Sequence, residues 1–288
     1  MDYILHLAIT MSIWGILTLS LNYVAGFTGI ISLSHATFYG IGAYSTAILT
    51  VKYGFSFLLS VAIGMFLAAV IAYIVSIPLL KLQEDAFILV SFGFAIIGYH
   101  VLLNWQSITN GALGIKGIKA PVIFGFSFSG KPLFLCLVLV ALICTYFILH
   151  RIVKSPYGTI MKNIRENSIV ASVNGHDVTA YKRSVYTVGA LFAALAGSLM
   201  ATFLMFIEPK SFELMISVFI LIALILGGMG NLKGSILGAV FIILIPEILR
   251  FVGFPNTIIG EMQQITYGLI LVLLMILRPQ GLLGEYKI

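Results

Sequence analysis

The sequence predicts an all-α protein: a polytopic bundle of eight or nine transmembrane helices with glycine-rich breaks. Of its 288 residues, 60% are hydrophobic and 9% are charged, and the mean hydropathy is +1.12. Soluble domains carry about 25% charged residues. A soluble fold of this size could not bury so much apolar surface. We therefore expect a single transmembrane domain over residues 1–288.

The charge is concentrated in one polar island. The formal net charge is +6, and the segment from Arg151 to Arg183 carries six basic residues against Glu166 and Asp177. Lys and Arg accumulate in the cytoplasmic loops of membrane proteins. We predict a cytoplasmic loop at residues 151–184. No nucleic-acid-binding motif accompanies the basic residues, so we expect no nucleic-acid partner.

This loop is predicted to be folded. Ser155-Pro156 is typical of a helix start, with Ser as the cap and Pro at the first helical position. A second short helix begins at Asn167, and Gly175 can end it in the left-handed conformation. Its apolar residues share helical spacing and form a ridge of Ile169, Val170 and Val173. Such a loop indicates a docking partner.

The apolar segments predict eight or nine membrane spans. About 20 apolar residues cross a bilayer. The candidate spans are residues 4–24, 36–51, 56–80, 86–105, 133–150, 185–206, 213–229, 235–252 and 262–277. Segment 36–51 is short and contains two glycines, so it either crosses or folds back. The N-terminus lies outside in the first case and inside in the second. With the basic loop inside, loop 106–132 and turn 207–212 fall outside.

Two glycine clusters interrupt the apolar sequence. Gly26–His35 combines glycines with hydroxyl residues, and Gly227–Gly238 faintly resembles it in the other half. Paired interrupted segments are typical of transporter sites near the membrane midplane. A tight turn between helices is the alternative for the second cluster. The predicted pathway residues are Asn22, Gly26, Gly29, Ser32, Ser34, His35, Gly40, Gly42, Gly227, Gly228 and Gly230.

The second cluster does not match a nucleotide-binding loop. A phosphate loop needs Lys and then Ser or Thr after its last glycine. Here Lys233 precedes Gly234. Nor does the sequence contain a nucleophile with its base, paired carboxylates or a metal-ligand cluster. We therefore predict no catalytic residues, no metal and no enzyme activity.

Three smaller features add expectations. His35 and His100 are the ionisable side chains expected at membrane depth, either functional or neutral and hydrogen-bonded between helices. Ala193, Gly197 and Ala201 recur every four residues and predict a smooth helix face for close packing. Cys136 and Cys144 lie in one apolar run and are expected to be inert core thiols.

Together these stretches resemble the M-type permease subunit of Liv-type ABC importers for branched-chain amino acids. The resemblance covers nearly the whole chain, and five motifs in the right order make it specific. The motifs lie at Leu19–Tyr44, Asn110–Ile118, Ile164–Gly175, Gly227–Gly234 and Arg278–Leu282.

The resemblance implies a heterodimer with a homologous H-type permease. Two cytoplasmic ATPase subunits would bind the ATP, and an extracytoplasmic binding protein would deliver the substrate. This chain would need no cofactor of its own. It would lie among lipids in a prokaryotic plasma (inner) membrane.

Loop 151–184 would then be the coupling loop that contacts the ATPases. Its coupling residues would be Arg165, Glu166, Asn167, Ile169, Val170, Ala171, Val173 and Gly175. The general importer motif is Glu-Ala-Ala, three residues and then Gly. Here Ala171 and Gly175 keep the last spacing, but Ile169 occupies the Glu position. No single carboxylate of the loop is therefore expected to be essential.

Alternatives remain at this stage. The same family includes importers of urea and short amides. The weak likeness between the two halves would also suit an ion-coupled secondary transporter, although no buried Asp or Glu suited to carry a proton is evident. A folded docking loop would suit a structural subunit of a membrane enzyme complex. A scaffold, however, has no need for paired glycine breaks.

Overall fold

The computed structural model describes residues 2–123, 125–251, 259–278 and 280–284. In these residues the chain is a helical bundle, which confirms the predicted all-α membrane class. Seven of the described helices are long and apolar enough to cross a membrane. Of the sequence predictions, Pro279 and residue 252 lie outside the described residues.

The described helices are α1 (Asp2–Leu21), α2 (His35–Val51), α3 (Phe57–Leu79), α4 (Glu84–Asn104), α5 (Gln106–Thr109), α6 (Lys131–Val153), α7 (Pro156–Glu166), α8 (Ser168–Val173), α9 (Val178–Leu204), α10 (Leu214–Gly227), α11 (Leu232–Phe251) and α12 (Ile259–Leu277). Most long helices agree with the predicted spans within three residues. Helix α9 begins seven residues before the predicted start at 185, inside the predicted loop 151–184. The short strands are β1 (Ile115–Lys116), β2 (Val122–Ile123), β3 (Phe126–Ser127) and β4 (Phe206–Ile207). A π-helical turn, Asn22–Gly26, extends α1, and short 3₁₀ turns cover Gly111–Leu113 and Pro209–Phe212.

Helices α1, α2 and α9 form the centre of the bundle. Helix α9 packs against α1, α2 and α3, and α1 also contacts α6, α10 and α11. Outer helices α3, α4 and α6 present large apolar side chains outward, among them Phe66, Leu89 and Phe147. Such side chains suit contact with lipid tails, and the backbone N–H and C=O groups in the interior of a helix are hydrogen-bonded to one another.

The α2–α9 contact depends on glycine. A Cβ atom on Gly42 would collide with the carbonyl of Ala194, and one on Gly197 would collide with the carbonyl of Tyr39. Ala193 and Ala201 are also fully buried, as the predicted smooth face requires. Small residues let helix backbones approach closely in membranes, where packing drives helix association.

We expect Gly42→Ala to destabilise the bundle by about 2 kcal/mol, because overpacking a tight contact commonly costs 1–3 kcal/mol. Gly93→Ala in α4 is the matched control, because a Cβ atom there meets nothing within 4 Å. Alanine should even favour that helix by about 1 kcal/mol. Thermal unfolding in detergent measures both variants. Equal melting temperatures would contradict the close packing of α2 against α9.

Strands β1 and β4 join the two segments that were predicted to lie outside. They pair antiparallel, with Ile115 opposite Ile207 and Lys116 opposite Phe206. The sequence predicted only turns in loop 106–132, but this loop contains α5 and the β2–β3 hairpin. We call this end of the bundle the strand end, and the end that carries residues 151–184 the basic end.

Helix α2 is continuous from His35 to Val51. Just before it, the Leu33 N–H donates to Ser91 Oγ, two turns into α4, at 3.1 Å. Just after it, Lys52 Nζ donates to the carbonyls of Ser107 and Ile108 at 3.1 and 2.7 Å. Ser107 and Ile108 belong to α5, beside the strand end. The predicted segment 36–51 is therefore one helix that ends near the strand end.

Two local expectations were wrong. Cys136 and Cys144 are exposed on α6 rather than buried, because α6 turns that face away from the bundle. Helix α7 does begin after Ser155, but the Ser155 hydroxyl does not cap it. The hydroxyl donates instead to the Ile152 carbonyl at the end of α6, at 2.6 Å.

Candidate functional site

Asn22 joins the two glycine clusters. It begins the π-helical turn at the end of α1 and is fully buried. Its Nδ2 donates to the Asn231 carbonyl at 2.9 Å and to Ser235 Oγ at 2.6 Å. Its Oδ1 accepts the Gly230 N–H at 3.0 Å. One amide thus satisfies polar groups exposed by the break between α10 and α11, as buried polar groups require.

The glycines around Asn22 permit this close approach. A Cβ atom on Gly26 would lie 2.7 Å from the Gly230 nitrogen. Gly228 and Gly230 have φ values of 106° and 80°, which favour glycine. The clusters from the two halves of the chain therefore meet at the basic end. The sequence placed both on a pathway but gave no sign of this contact.

A buried hydroxyl network follows the first cluster. Ser32 Oγ lies 2.7 Å from Ser34 Oγ, which lies 2.5 Å from the Tyr186 hydroxyl. The Ala36 N–H donates to Ser217 Oγ at 2.9 Å. The network connects the start of α2 to α9 and α10. It satisfies backbone and side-chain groups that would otherwise be costly inside a membrane.

His35 belongs to the same region. It is 1% exposed, and its Nε2 lies 2.8 Å from Ser20 Oγ on α1. This agrees with the expectation of a histidine hydrogen-bonded between helices. Its Nδ1 has no hydrogen-bond partner among the described residues. His100, by contrast, is exposed on α4.

Of the remaining predicted pathway glycines, two lie in helix contacts and one lines a cavity. A Cβ atom on Gly40 would lie 3.1 Å from Phe212 Cγ, and one on Gly227 would collide with the Gly234 carbonyl. Gly29 is partly exposed and lines a cavity of about 160 Å³ with Asp85 and Lys182. Most of the predicted pathway residues are therefore packed between helices in the described part of the chain.

Helix α7 fastens the basic loop to the bundle. Its Met161 and Ile164 are buried, and Arg165 Nη1 donates to the Gly26 carbonyl at the end of the π-helical turn. The Tyr157 hydroxyl bonds to Ser184 at the start of α9. Burial raises the pKa of the Tyr157 phenol, so the hydroxyl stays protonated. These contacts connect the loop to the π-helical turn after α1 and to α9.

Helix α8 has both of its predicted ends. The Asn167 side chain caps it by accepting the N–H groups of Ile169 and Val170 at 3.0 and 3.1 Å. Gly175 has φ +85°. Its N–H donates to the Ser172 carbonyl at 3.0 Å, and the His176 N–H donates to the Ala171 carbonyl at 3.3 Å. These two bonds form a Schellman ending, which fixes a six-residue helix that would not be stable alone.

The predicted ridge on α8 is exposed. Ala171 faces inward with 1% exposure, whereas Ile169, Val170 and Val173 are 73%, 54% and 80% exposed. An apolar ridge on a polar loop is typical of a protein-contact surface. Glu166 lies beside it and is also exposed.

A series of hydrogen bonds connects the loop that carries the ridge to the glycine clusters. Arg165 in α7 holds Gly26, and Asn22 in the same π-helical turn holds Gly230 and Asn231. A displacement of α7 and α8 would therefore pass to the ends of α1 and α11. This line of contacts unites the predicted coupling residues with part of the predicted pathway.

An apolar cavity of about 410 Å³ lies among α2, α3 and α4. Aliphatic residues dominate its lining, including Ile41, Leu67 and Ile71. Thr37 and Tyr44 also line it, and their hydroxyls have no hydrogen-bond partner among the described residues. Both hydroxyl oxygens are themselves enclosed by protein, so the surface that this cavity presents to a guest is apolar.

The sequence missed several partners of the predicted residues. They are the hydroxyl residues Ser20, Ser91, Tyr186, Ser217 and Ser235. Each is a hydroxyl within an apolar helix, which is a recognisable signal. The partner of each cannot be read from the sequence, because it depends on which helices are neighbours.

Comparison with known proteins agrees with this architecture. The family model for the permease component of branched-chain amino acid transport systems matches residues 3–277. The high-affinity branched-chain amino acid transport system permease proteins LivM of Salmonella typhimurium and Escherichia coli are each 33% identical over 94% of this chain and 68% of their own.

A probable branched-chain amino acid permease LivM of Methanocaldococcus jannaschii is 25% identical over 80% of this chain and 69% of its own. No solved structure is a significant match. The chain is thus a multi-pass inner-membrane protein, and it belongs to the family of permease components of branched-chain amino acid transport systems.

Proposed function

We propose that this chain is the M-type permease subunit of an ATP-driven importer that moves branched-chain amino acids into the cytoplasm. The observation that carries the proposal is the 33% identity to LivM permeases over 94% of the chain. The exposed ridge on α8 supports it. A permease that is driven by separate ATPase subunits needs a surface that these subunits contact.

The full importer comprises several chains. A homologous H-type permease pairs with this one, two ATPases sit at the cytoplasmic face, and an extracytoplasmic binding protein delivers the substrate. ATP binds to the ATPases, and this chain contributes no cofactor site of its own. Its contribution is positional: it transmits ATPase closure to the helices around the substrate.

We infer nine crossings. The crossing helices are α1, α2, α3, α4, α6, α9, α10, α11 and α12. Helix α2 has 17 residues and a length of about 26 Å, and its continuous course to the Lys52 contact beside the strand end supports its inclusion. The positive-inside rule places the basic end in the cytoplasm. The strand end and the N-terminus then face outward.

In this orientation α8 docks in a groove on an ATPase. The coupling residues have three roles. Ile169, Val170 and Val173 fill the groove. Asn167 and Gly175 fix the two ends of the helix, and Arg165 connects the loop to the turn after α1. Glu166 lies at the exposed edge, where its charge is solvated and adds little. When the ATPases close on ATP, they displace α8, and the hydrogen bonds of Asn22 transmit this displacement to the start of α11.

The substrate route lies on a surface completed by the H-type partner. Support comes from the close packing around Ser32, Ser34, His35, Gly40 and Gly42, whose contacts leave little room between the helices at these residues. These residues would act as the walls and pivots of the moving helices. A weakly charged route suits a zwitterion with no net charge.

The lining of the α2–α4 cavity favours a branched-chain amino acid over urea. Its walls are aliphatic, and burying a Val, Leu or Ile side chain is favourable by about 1.5–3 kcal/mol. Urea has no apolar group to bury.

A secondary transporter is a weaker alternative. Proton-coupled carriers place an Asp or Glu at membrane depth. Among the described residues, the buried polar side chains are serines, threonines, an asparagine and a histidine. We therefore favour the ATP-driven importer.

A mild-detergent pull-down of the tagged chain from its native membrane tests the proposal. We expect to recover a second apolar permease together with soluble ATPases. Leucine uptake by the recovered complex in liposomes should require internal ATP, and isoleucine but not urea should compete. Recovery of the chain alone, with uptake that resists ATP depletion but collapses with an ionophore, would promote the secondary transporter.

A further inference from the structure

A basic pocket opens at the basic end, away from the ridge on α8. It has a volume of about 470 Å³ and lies between α6, α7 and the start of α11. Lys154, Lys162 and Lys233 line it, together with His150 and Asn231. Lys154 and Lys233 are exposed, and Lys162 lies over the Phe27 ring at 6.0 Å from its centroid.

The charge of this pocket has one sign. Among the described residues, its lining includes three lysines and no Asp or Glu. The exposed Lys154 and Lys233 lie on the same volume and repel each other, so an anion that enters is attracted by both. The start of α11 adds to this field, because the N-terminus of a helix carries partial positive charge. The pocket therefore suits a phosphate-sized anion.

Apolar surface continues from the pocket toward the membrane interior. On α11, Lys233 is followed at helical spacing by Leu237 and Phe241, which are 40% and 43% exposed. On α6, Tyr146 and His150 stack with ring centroids 5.5 Å apart. Deeper along α6, Ile143 is 51% exposed. Helices α6 and α11 both pack on α1, so the two apolar stripes flank a groove with α1 behind it.

We propose that this pocket binds the phosphate of an anionic phospholipid, with the acyl chains lying along the groove between α6 and α11. The inference goes beyond substrate transport and depends only on the chain lying in a membrane. Basic pockets between transmembrane helices at the cytoplasmic side recognise anionic headgroups in this way. The lysine tails can reach the headgroup while their stems remain against apolar surface.

A lipid fits the pocket better than an acidic protein surface does. Leu237 and Ile143, like the other outward apolar side chains of the bundle, suit lipid tails, so the basic pocket is continuous with a surface that lipid covers. A lipid places one phosphate among the lysines and two apolar chains against these stripes. The anionic headgroup and the acyl groove thus account for both halves of the feature.

The bound lipid would brace the coupling loop. Lys162 belongs to α7, Lys154 follows α6, and Lys233 belongs to α11. One phosphate among them links the loop to the α10–α11 break, beside the contact made by Asn22. We expect anionic lipid to raise the thermal stability of the complex as well as to bind it.

Native mass spectrometry of the purified importer tests the proposal. The complex is incubated with phosphatidylglycerol or with phosphatidylcholine of the same acyl chains. We expect retention of phosphatidylglycerol only, with about a tenfold or larger loss of affinity in Lys154→Gln/Lys233→Gln, since each Lys near an anionic headgroup contributes an attraction worth several-fold in affinity. Lys154→Arg/Lys233→Arg should retain the lipid.

The matched control is Lys119→Gln/Lys210→Gln, which removes two exposed lysines from the strand end. It should bind phosphatidylglycerol as the unmodified complex does. Equal retention of both lipids, or unchanged retention in Lys154→Gln/Lys233→Gln, would overturn the proposal. So would full displacement of the lipid by millimolar inorganic phosphate, which would make the ligand a soluble anion. Loss of the ATPases without loss of lipid would identify an acidic protein surface instead.

Discussion

Val173→Asp is expected to abolish leucine uptake by the assembled importer and to reduce substrate-stimulated ATP hydrolysis to its basal level. Val173 is 80% exposed on α8, so the change should leave folding and membrane insertion intact. When the ridge enters an ATPase groove, however, the carboxylate loses its water. Burying an unpaired charge costs several kcal/mol, and about 3 kcal/mol already lowers an affinity more than 100-fold.

Ser172→Asp is the matched control for this variant. Ser172 is exposed on the same helix but lies off the ridge, and Asp there carries the same charge near the same helix end. Uptake should remain close to that of the unmodified importer. Val173→Leu should also couple normally, because it keeps the ridge apolar. Normal coupling in Val173→Asp would exclude the ridge as the ATPase contact.

Much of this architecture could be predicted from local sequence. Hydrophobic runs near 20 residues gave the spans, because length and apolarity alone decide whether a helix suits a membrane. The ends of α8 were equally local: an Asn cap and a left-handed Gly act within one turn. The ridge followed from spacing within that helix. These features need no knowledge of neighbouring helices.

The contacts between distant segments could not be predicted in the same way. Asn22 and Gly230 are 208 residues apart, and nothing in either segment identifies the other. The β1–β4 pairing likewise joins strands of two residues each, too short for a recognisable alternating pattern. The lipid-facing cysteines were misplaced because an outer helix of a membrane bundle is apolar on both faces.

The Asn22 contact also decides how the candidate site works. A glycine-rich break exposes backbone groups, and in a membrane these need partners within the protein. At the α10–α11 break, the Asn22 side chain bonds to two such backbone groups, the Gly230 N–H and the Asn231 carbonyl, and also to the Ser235 hydroxyl. The glycine-rich break therefore depends on one polar side chain, that of Asn22. Asn22 lies one turn before Gly26, whose carbonyl accepts a hydrogen bond from Arg165. We therefore expect stability and coupling to depend on the same residue.

Asn22→Leu is expected to lower both the stability of the complex and its coupling. It leaves the Gly230 N–H, the Asn231 carbonyl and the Ser235 hydroxyl without the partner that Asn22 gives them. An unsatisfied buried group costs about 1–3 kcal/mol, and hydrogen bonds between membrane helices average about 0.6 kcal/mol. We expect a loss of about 3 kcal/mol, which corresponds to a fall in melting temperature of roughly 6–12 °C.

The control is Asn104→Leu, since Asn104 is exposed on α4 and bonds only locally, to the His100 carbonyl at 2.9 Å. Thermal unfolding of the purified complex measures stability, and the ratio of leucine uptake to ATP hydrolysis measures coupling. If Asn22 only held the fold, uptake and hydrolysis would fall together in proportion to the folded complex. We expect the ratio itself to fall in Asn22→Leu, because the ATPases can still close on α8 while the displacement no longer reaches α11. An unchanged ratio would confine Asn22 to a structural role and would require another route from the coupling loop to the helices.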